Sequence, residues 1–163
     1  MLIMMAALAK VEGNAEFSRP YLPLLARWAA YLRDHGVDPV NQLCTDDFAG
    51  HMARNANLSA KTCVALGAYA QLLAALGDAK GSGEWRTVAE QSAATWMKLA
   101  AGGEVSVLAF GAPESSQGWS QKYNLVWDRV LGLALFPAAL MEGEMAWYLK
   151  QLKPFGLPLD SRA

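Results

Sequence analysis

Apolar residues recur at helical spacing along most of the chain, and glycine or proline separates one run from the next. Residues 1–10 are apolar on nearly every side, which is typical of a helix buried within a protein, and Gly13 can end it. A second stripe follows Pro20, covers residues 21–32 and ends at Gly36. We predict that these two helices form a hairpin.

A long connection leads to two further predicted helices. The first has its apolar stripe at residues 66–76 and ends at Gly77, and Asn57 is a candidate for its N-cap. Ser82 can cap the next helix, whose apolar face covers residues 85–99. We predict that these two helices form a second hairpin.

The last third of the chain is less regular. Residues 104–110 alternate weakly and contain two valines, which predicts a short extended or β segment. Ser120 can cap a fifth helix that reaches about Leu133, and Pro137 restarts a sixth with an apolar face over residues 141–152. The pattern therefore predicts an all-α chain of helical hairpins with one extended segment.

Composition adds a reason to expect a partner. The 163 residues suffice for one domain, here residues 1–163, and 53% are hydrophobic while only 18% are charged. Such a chain has either a large core or apolar helix faces that another copy covers, so a homo-oligomer is one expectation.

Charge and cysteine content exclude several classes of function. The 14 basic and 15 acidic residues are evenly spread, so no cationic stripe for nucleic acid is present. Residues 1–10 are too short to span a membrane and lack the basic start of a signal peptide. The two cysteines, Cys44 and Cys63, suggest buried thiols rather than disulfides or a metal centre.

Polar groups are concentrated in residues 43–57. Asp46 and Asp47 are adjacent carboxylates, His51 follows, and Asn55 adds an amide. One interpretation is a polar connection in which an aspartate closes a turn and an asparagine caps a helix. In the other, two close carboxylates raise the pKa of one of them into a range useful for a general base.

A second polar group lies around the predicted fifth helix. Asn124 and Asp128 are four residues apart and share a helix face, while Tyr123 and Trp127 share the neighbouring face. Lys122 lies near the helix start, where the helix dipole disfavours a cation unless a carboxylate or a ligand is close. A capped helix with an aromatic core stripe would explain the same pattern.

Near the C-terminal end of the sequence, Asp160 and Arg162 form a third polar group. Both could reach the loop that carries Asp46 and Asp47, which we call the acidic loop, if the last helix returns the chain to the same end of the bundle. We predict that the turns bearing Asp47, Lys122 and Asp160 meet at one rim of a ring of paired helices. A frayed terminus is the alternative.

Four segments, in this order and spacing, resemble the C-terminal domain of the glutaminase A family. They read Asn-Gln-Leu-Cys-Thr-Asp-Asp-Phe-Ala-Gly-His at 41–51, Asn-x-Asn-Leu-Ser-x-Lys at 55–61, Trp-Ser-Gln-Lys-Tyr-Asn-x-Val-Trp-Asp at 119–128 and Gly-Leu-Pro-Leu-Asp-Ser-Arg at 156–162. The resemblance runs along nearly the whole chain and implies an (α/α)6, six-hairpin toroid. Family members are several times longer, so it also implies about half a toroid.

The resemblance implies a function as well. Family members are large secreted proteins, and fungal members hydrolyse L-glutamine to glutamate and ammonia, so a secreted or periplasmic location and a small-molecule substrate are expected. Cofactors and a metal are not expected. The chain has no Gly-x-Ser-x-Gly elbow or Ser-x-x-Lys pair, so a covalent serine mechanism has no sequence support.

We therefore assign candidate roles for amide hydrolysis. Asp46 or Asp47 would act as the base on water, and His51 or Lys122 would donate a proton or stabilise charge. Arg162 would hold a substrate carboxylate through its forked guanidinium. The candidate catalytic residues are Asp46, Asp47, His51, Lys122 and Asp128. The candidate substrate contacts are Asn55, Trp119, Tyr123, Asn124, Asp160 and Arg162.

Two other functions fit the same residues. Six-hairpin toroids often bind carbohydrate, and Trp119 and Tyr123 could stack on sugar rings while two carboxylates act as acid and base. Alternatively, the chain is a structural half-domain without activity that associates with itself. As a partial domain, it is expected to be inactive or incomplete on its own. If the acidic loop bound a metal, a hard cation such as calcium would suit it, although none is predicted.

Overall fold

The computed structural model describes residues 1–41, 52–111 and 118–161. Six α-helices and two 3₁₀ turns form within these ranges, and the backbone pairing outside the helices consists of isolated bridges. The predicted all-α fold class is confirmed. The helices are α1 (Leu2–Glu12), α2 (Leu22–His35), α3 (Ala56–Ala75), α4 (Ala79–Leu99), α5 (Val126–Leu131) and α6 (Ala138–Lys150), and the 3₁₀ turns are Glu16–Tyr21 and Tyr123–Leu125.

The centre of the fold is α3, which is buried on nearly every side. Small residues on this helix let its neighbours approach closely. At Gly67, an added Cβ would lie 2.8 Å from a methyl carbon of Leu135. Although α3 is long and apolar enough to cross a membrane, 72% of its most apolar 18-residue window is buried inside the protein. It therefore serves here as the core helix.

The other helices surround α3 in a way that the hairpin prediction describes only in part. As predicted, α4 packs along α3, and the buried Trp96 of α4 donates from Nε1 to the Ala56 carbonyl oxygen at 2.7 Å. However, α1 and α2 pack mainly on α3 rather than on each other, so the predicted first hairpin is wrong. A single apolar core helix offers each of them more surface than they offer one another.

Two predicted helix caps are also wrong. Asn55, not Asn57, caps α3, because its Oδ1 accepts from the Leu58 backbone N–H at 2.8 Å. Asp78 caps α4 by accepting from the Gly81 N–H at 2.9 Å, so Ser82 lies inside that helix. In both cases a capping residue stands earlier in the chain than the predicted one, so each helix begins earlier than predicted.

The fifth helix is much shorter than predicted. Ser120 does not cap it, because Ser120 pairs with Asp160 in an antiparallel bridge. The helical backbone begins with the 3₁₀ turn Tyr123–Leu125, and α5 ends at Gly132, whose φ of 75° is left-handed. Pairing with the C-terminal segment therefore keeps the backbone before Lys122 out of the helix.

Four short extended segments lie side by side next to the start of α3. Antiparallel bridges join each segment to the next. The bridged pairs are Asn55 with Ala109, Val107 with Trp119, and Ser120 with Asp160. The predicted extended segment at 104–110 thus contributes two isolated bridge residues rather than a strand. We call residues 54–56, 106–110, 118–121 and 158–161 the bridge layer, and it carries the candidate site.

Candidate active site

Lys122 is a buried cation at the edge of the bridge layer. It directly precedes the 3₁₀ turn Tyr123–Leu125, and only 3% of the residue is exposed. Its Nζ donates to the Ser106 carbonyl at 3.2 Å, the Ser120 carbonyl at 3.0 Å and the Ser120 hydroxyl at 3.2 Å. Three acceptors match the three protons of an ammonium group, so the cation is stabilised although it is removed from water.

Two buried carboxylates accompany this cation. Asp160 is brought close by the Ser120–Asp160 bridge, and Glu144 comes from α6. Burial lowers the pKa of Lys122 to about 8, while the negative charges of Glu144 and Asp160 act in the opposite direction. The carboxylate that a lysine at this position requires is therefore present, and the predicted proximity of Lys122 and Asp160 is observed.

Glu144 and Tyr148, one helical turn apart on α6, connect that helix to the bridge layer. Glu144 accepts from the Ser106 backbone N–H at 2.7 Å and from the Tyr148 hydroxyl at 2.5 Å. The Lys122 backbone N–H donates to the Tyr148 oxygen at 2.7 Å. Burial, followed by the charge of Glu144, raises the pKa of Tyr148. The phenol therefore stays protonated and remains a donor.

Glu144 was not among the candidate residues from the sequence, and Tyr148 was assigned only to an apolar stripe. One signal was available in the sequence, because Glu144 is a carboxylate on the same face as Tyr148 in a mostly apolar helix. Its value depended on knowing that this face is buried. We call Lys122, Glu144, Tyr148 and Asp160 the lysine cluster.

An open groove runs beside the lysine cluster between α5 and α6. Its volume is about 420 Å³, and Lys122, Glu144 and Tyr148 form part of its lining. The remaining walls are mostly apolar, with Arg129 as a cation. We call this space the α5–α6 groove. The apolar side chains along it include Leu125, Val126, Met141, Met145, Leu149 and Leu152.

Two candidate substrate contacts, Asn55 and Asn124, form hydrogen bonds within the protein. Asn55 is 1% exposed and caps α3. The side chain of Asn124 donates to the Asn57 carbonyl oxygen, and the Asn124 backbone N–H donates to the Asn57 Oδ1, both at 3.2 Å. These asparagines fix the start of α3 against the 3₁₀ turn and so position the backbone next to Lys122.

Asp128 is likewise buried and bonded to the backbone. One carboxylate oxygen accepts from the Leu135 N–H at 3.0 Å, and the other accepts from the Phe136 N–H at 3.4 Å. The contacts define the turn between α5 and α6. A catalytic role for Asp128 stays a prediction.

The two aromatic candidates differ in accessibility. Trp119 is 8% exposed, and its ring lies 5.8 Å from that of Tyr148 between centroids. It therefore has little free face on which a sugar ring could stack. Tyr123 is 39% exposed and lines the α5–α6 groove.

Four candidate residues lie outside the described residues, namely Asp46, Asp47, His51 and Arg162. The chain on either side of residues 42–51 is fixed by Arg54. Its guanidinium forms two hydrogen bonds with the Asp38 carboxylate, at 2.9 and 2.7 Å, and its backbone N–H donates to the Pro39 carbonyl at 2.8 Å. Arg54 holds a left-handed φ of 59° in doing so.

Arg54 lies at the start of the bridge layer and also contacts its second segment, residues 106–110. Its carbonyl oxygen accepts a hydrogen bond from the Phe110 N–H at 2.9 Å. Ser106, which lies four residues before Phe110, accepts a hydrogen bond from Lys122 through its own carbonyl oxygen. The flanks of the acidic loop and the lysine cluster therefore contact the same short segment. The position of Asp47 relative to Lys122 and Asp160 stays a prediction.

Within residues 1–41, 52–111 and 118–161, no group of three or more histidine, cysteine or acidic side chains is placed to hold a metal ion. Cys63 is buried in the core, and burial raises its pKa to about 12, so this thiol stays protonated. The expectation that no metal binds stays a prediction for the acidic loop.

Comparison with known proteins bears on this arrangement. Glutaminase A of Aspergillus oryzae is 30% identical over 166 residues, covering 99% of this chain and 24% of the fungal protein. A probable glutaminase of Arthroderma benhamiae is 25% identical over 168 residues, covering 85% of this chain and 19% of that protein. The chain thus spans about a quarter or less of the curated relatives that it matches.

The family match covers the whole chain. Residues 1–163 match the family model described as the glutaminase A six helical-hairpin domain. The four segments that carried the resemblance lie within this match, and the α3–α4 hairpin agrees with a domain built from helical hairpins. The chain therefore belongs to the glutaminase A six helical-hairpin family.

Proposed function

We propose that this chain supplies part of the active site of a glutaminase-type amidohydrolase, which converts L-glutamine to L-glutamate and ammonia. The observation that carries the proposal is the lysine cluster. Three of its members, Lys122, Glu144 and Tyr148, line the α5–α6 groove, and Lys122 contacts residues 106–110, as does Arg54 beside the acidic loop. Family membership supports it, because relatives in this family are named glutaminases.

Lys122 has the properties of a proton donor in this reaction. With a pKa of about 8 it is mostly protonated at neutral pH, yet it gives up a proton more easily than an exposed lysine. In the proposed step, water adds to the amide carbon as a carboxylate removes its proton. Lys122 then gives up its hydrogen bond to the Ser120 hydroxyl and donates that proton to the amide nitrogen as the carbon–nitrogen bond breaks and ammonia leaves.

The other roles follow from charge. Asp46 or Asp47 would accept the proton of the attacking water and later pass it to Lys122, which has given a proton to the leaving ammonia. The product carboxylic acid loses its own proton to the solvent. Asp160 and Glu144 would keep Lys122 charged before the reaction, because their negative charges oppose the effect of burial on its pKa. Arg162 would bind the substrate α-carboxylate through its forked guanidinium.

The chain by itself is expected to bind substrate weakly and to turn it over slowly or not at all. It spans 24% of the length of the Aspergillus relative, and residues of a complete site are therefore expected elsewhere in such proteins. For this reason binding to the chain, and not only turnover, is the appropriate first measurement.

The test is titration of L-glutamine into the chain by calorimetry and NMR, together with an assay for released ammonia. The variant Lys122→Met should weaken binding at least tenfold. The matched control is Lys80→Met, because the Lys80 side chain is 89% exposed on α4 and contacts Glu84 at 3.9 Å at the surface. Absence of both binding and ammonia release up to the solubility limit of glutamine would overturn the proposal.

Incubating the chain with a panel of oligosaccharides tests the alternative function, which is carbohydrate hydrolysis. The buried state of Trp119 weakens the argument for sugar stacking, since a stacking aromatic needs an exposed ring face. Release of reducing ends, or sugar binding that Tyr123→Ala abolishes, would favour the carbohydrate alternative over glutamine hydrolysis.

A further inference from the structure

The outer face of α6 is a stripe of large apolar side chains directed away from the core. Met145, Leu149 and Leu152 are 56%, 65% and 55% exposed. With Ala138 and Glu142 they follow the alternating four- and three-residue spacing of a coiled-coil seam. We call these five positions the α6 stripe. Met145 and Leu149 lie on this face of α6, and Leu152 lies just beyond the end of the helix. Together the three large apolar side chains form a patch of the kind that marks an interaction surface.

The stripe cannot turn toward the core, because the opposite face of α6 is fixed by polar contacts. Glu144 and Tyr148 are bonded to the bridge layer through the Ser106 and Lys122 backbone N–H groups. Rotating α6 to bury Leu149 would break these bonds and expose two groups that are now buried. A partner outside the described fold is therefore the way to cover the stripe.

The charges along α6 favour a second copy as that partner. Glu142 lies near the start of the helix, whereas Lys150 and Lys153 lie at and beyond its end. When two copies of α6 run antiparallel, each glutamate lies close to the lysines of the other copy. A parallel pair would bring like charges together. Lys150 contacts Glu104 at 3.2 Å in an exposed pair. An ammonium group carries three protons, so the same lysine can also bind a carboxylate of the second copy.

We propose that the α6 stripe pairs antiparallel with the same stripe of a second copy, about a two-fold axis near the middle of the helix. Such an interface uses one patch twice and closes on itself, so it predicts dimers rather than open chains. Met145, Leu149 and Leu152 also border the α5–α6 groove. The second copy would therefore form an outer wall of that groove. The pairing does not depend on the proposed glutaminase activity.

The first experiment measures the mass of the chain in solution by light scattering and sedimentation over a range of concentrations. The wild type should show a concentration-dependent dimer. Leu149→Glu should raise the dimer dissociation constant by about 100-fold or more. The variant dimer would lose the burial of two leucines and would have to bury two charged glutamates in their place. The matched control is Val11→Glu on α1, where the native side chain is 85% exposed, and it should remain dimeric.

Reversing the charges of Glu142, Lys150 and Lys153 tests whether the partner is a second copy and whether its α6 runs antiparallel. Glu142→Lys alone should weaken the dimer several-fold, and so should the pair Lys150→Glu with Lys153→Glu. Combining all three should restore it, because the opposite charges then exchange places. A wild-type chain that stays monomeric at high concentration would overturn the proposal, as would association that Leu149→Glu leaves unchanged. Failure of the triple variant to recover would overturn the antiparallel two-fold arrangement.

Discussion

The helices α3 and α6 are both rich in apolar residues, yet they serve the protein in opposite ways. α3 carries alanine, glycine and serine among its larger side chains, and neighbours pack closely on nearly all of its surface. α6 is held on one face by two polar side chains and exposes methionine and leucine on another. Apolar content alone therefore does not decide burial. The size and arrangement of the side chains and the contacts of the opposite face decide it.

The largest expected effect comes from the contact that closes α4 on α3. Trp96→Ala should lower the free energy of unfolding by about 3–5 kcal/mol, because it leaves a large cavity and removes the hydrogen bond to Ala56. Urea denaturation followed by circular dichroism measures the change. Trp28→Ala is the control, since Trp28 is 37% exposed, and an equal loss in both variants would contradict the comparison.

The attachment of α6 should be the next most sensitive feature. Glu144→Ala removes the acceptor of the Ser106 N–H and of the Tyr148 hydroxyl, and should cost about 2–4 kcal/mol because buried donors lose their partner. Hydrogen exchange should show faster exchange in α6 and in residues 104–110 than in α3. The exposed neighbour Glu142→Ala should change stability by less than about 0.5 kcal/mol at concentrations where the chain is monomeric. Equal changes in stability for Glu144→Ala and Glu142→Ala would mean that the contacts of Glu144 do not hold α6 in the cooperative fold.

The buried lysine should make stability rise with pH just above pH 8. The pKa of Lys122 is lowered from 10.5 to about 8 in the folded state, so between these values the unfolded chain binds more protons. Stability should therefore rise with pH in this window, by roughly 1 kcal/mol from pH 8 to pH 9. Above pH 9 the raised pKa of Cys63 acts in the opposite direction.

Comparison with variants isolates this contribution. The wild type and Lys80→Met should share the rise between pH 8 and pH 9, whereas Lys122→Met should lack it. Denaturant unfolding at closely spaced pH values provides the measurement. A pH dependence that survives in Lys122→Met would mean that another group titrates.

The smallest effect on stability should come from the outer face of α6. In dilute solution, where the chain is monomeric, Leu149→Glu should alter the free energy of unfolding by less than about 0.5 kcal/mol because Leu149 is already exposed. Leu66→Ala on α3 should cost about 2–5 kcal/mol, since Leu66 is fully buried. A large loss in Leu149→Glu would show that the stripe contributes to the monomer fold.

The outcome for individual elements shows how far local patterns extend. The ends of α1, α2 and α3 near Gly13, Gly36 and Gly77 were predictable, because glycine marks helix ends through local backbone preferences. The caps Asn55 and Asp78 were missed, since several polar residues precede each helix and only the folded backbone selects among them. The length of α5 was missed because a distant segment pairs with Ser120.

The candidate site divides in the same way. Lys122 stood out because a cation near a helix start calls for a carboxylate, and the sequence also indicated Asp160. Glu144 was missed because only the burial of its helix face distinguishes it from the exposed Glu142 two residues earlier.

The sequence by itself determined the helical class, the family and most helix ends, because these depend on spacing and on neighbouring residues. Only the tertiary structure decided that α3 is central, that α1 and α2 both pack on it, and that Lys122 lies with Glu144 and Asp160. Those outcomes depend on contacts between residues far apart in the chain. Their free energy comes from burial and pairing, which no local stretch of sequence specifies.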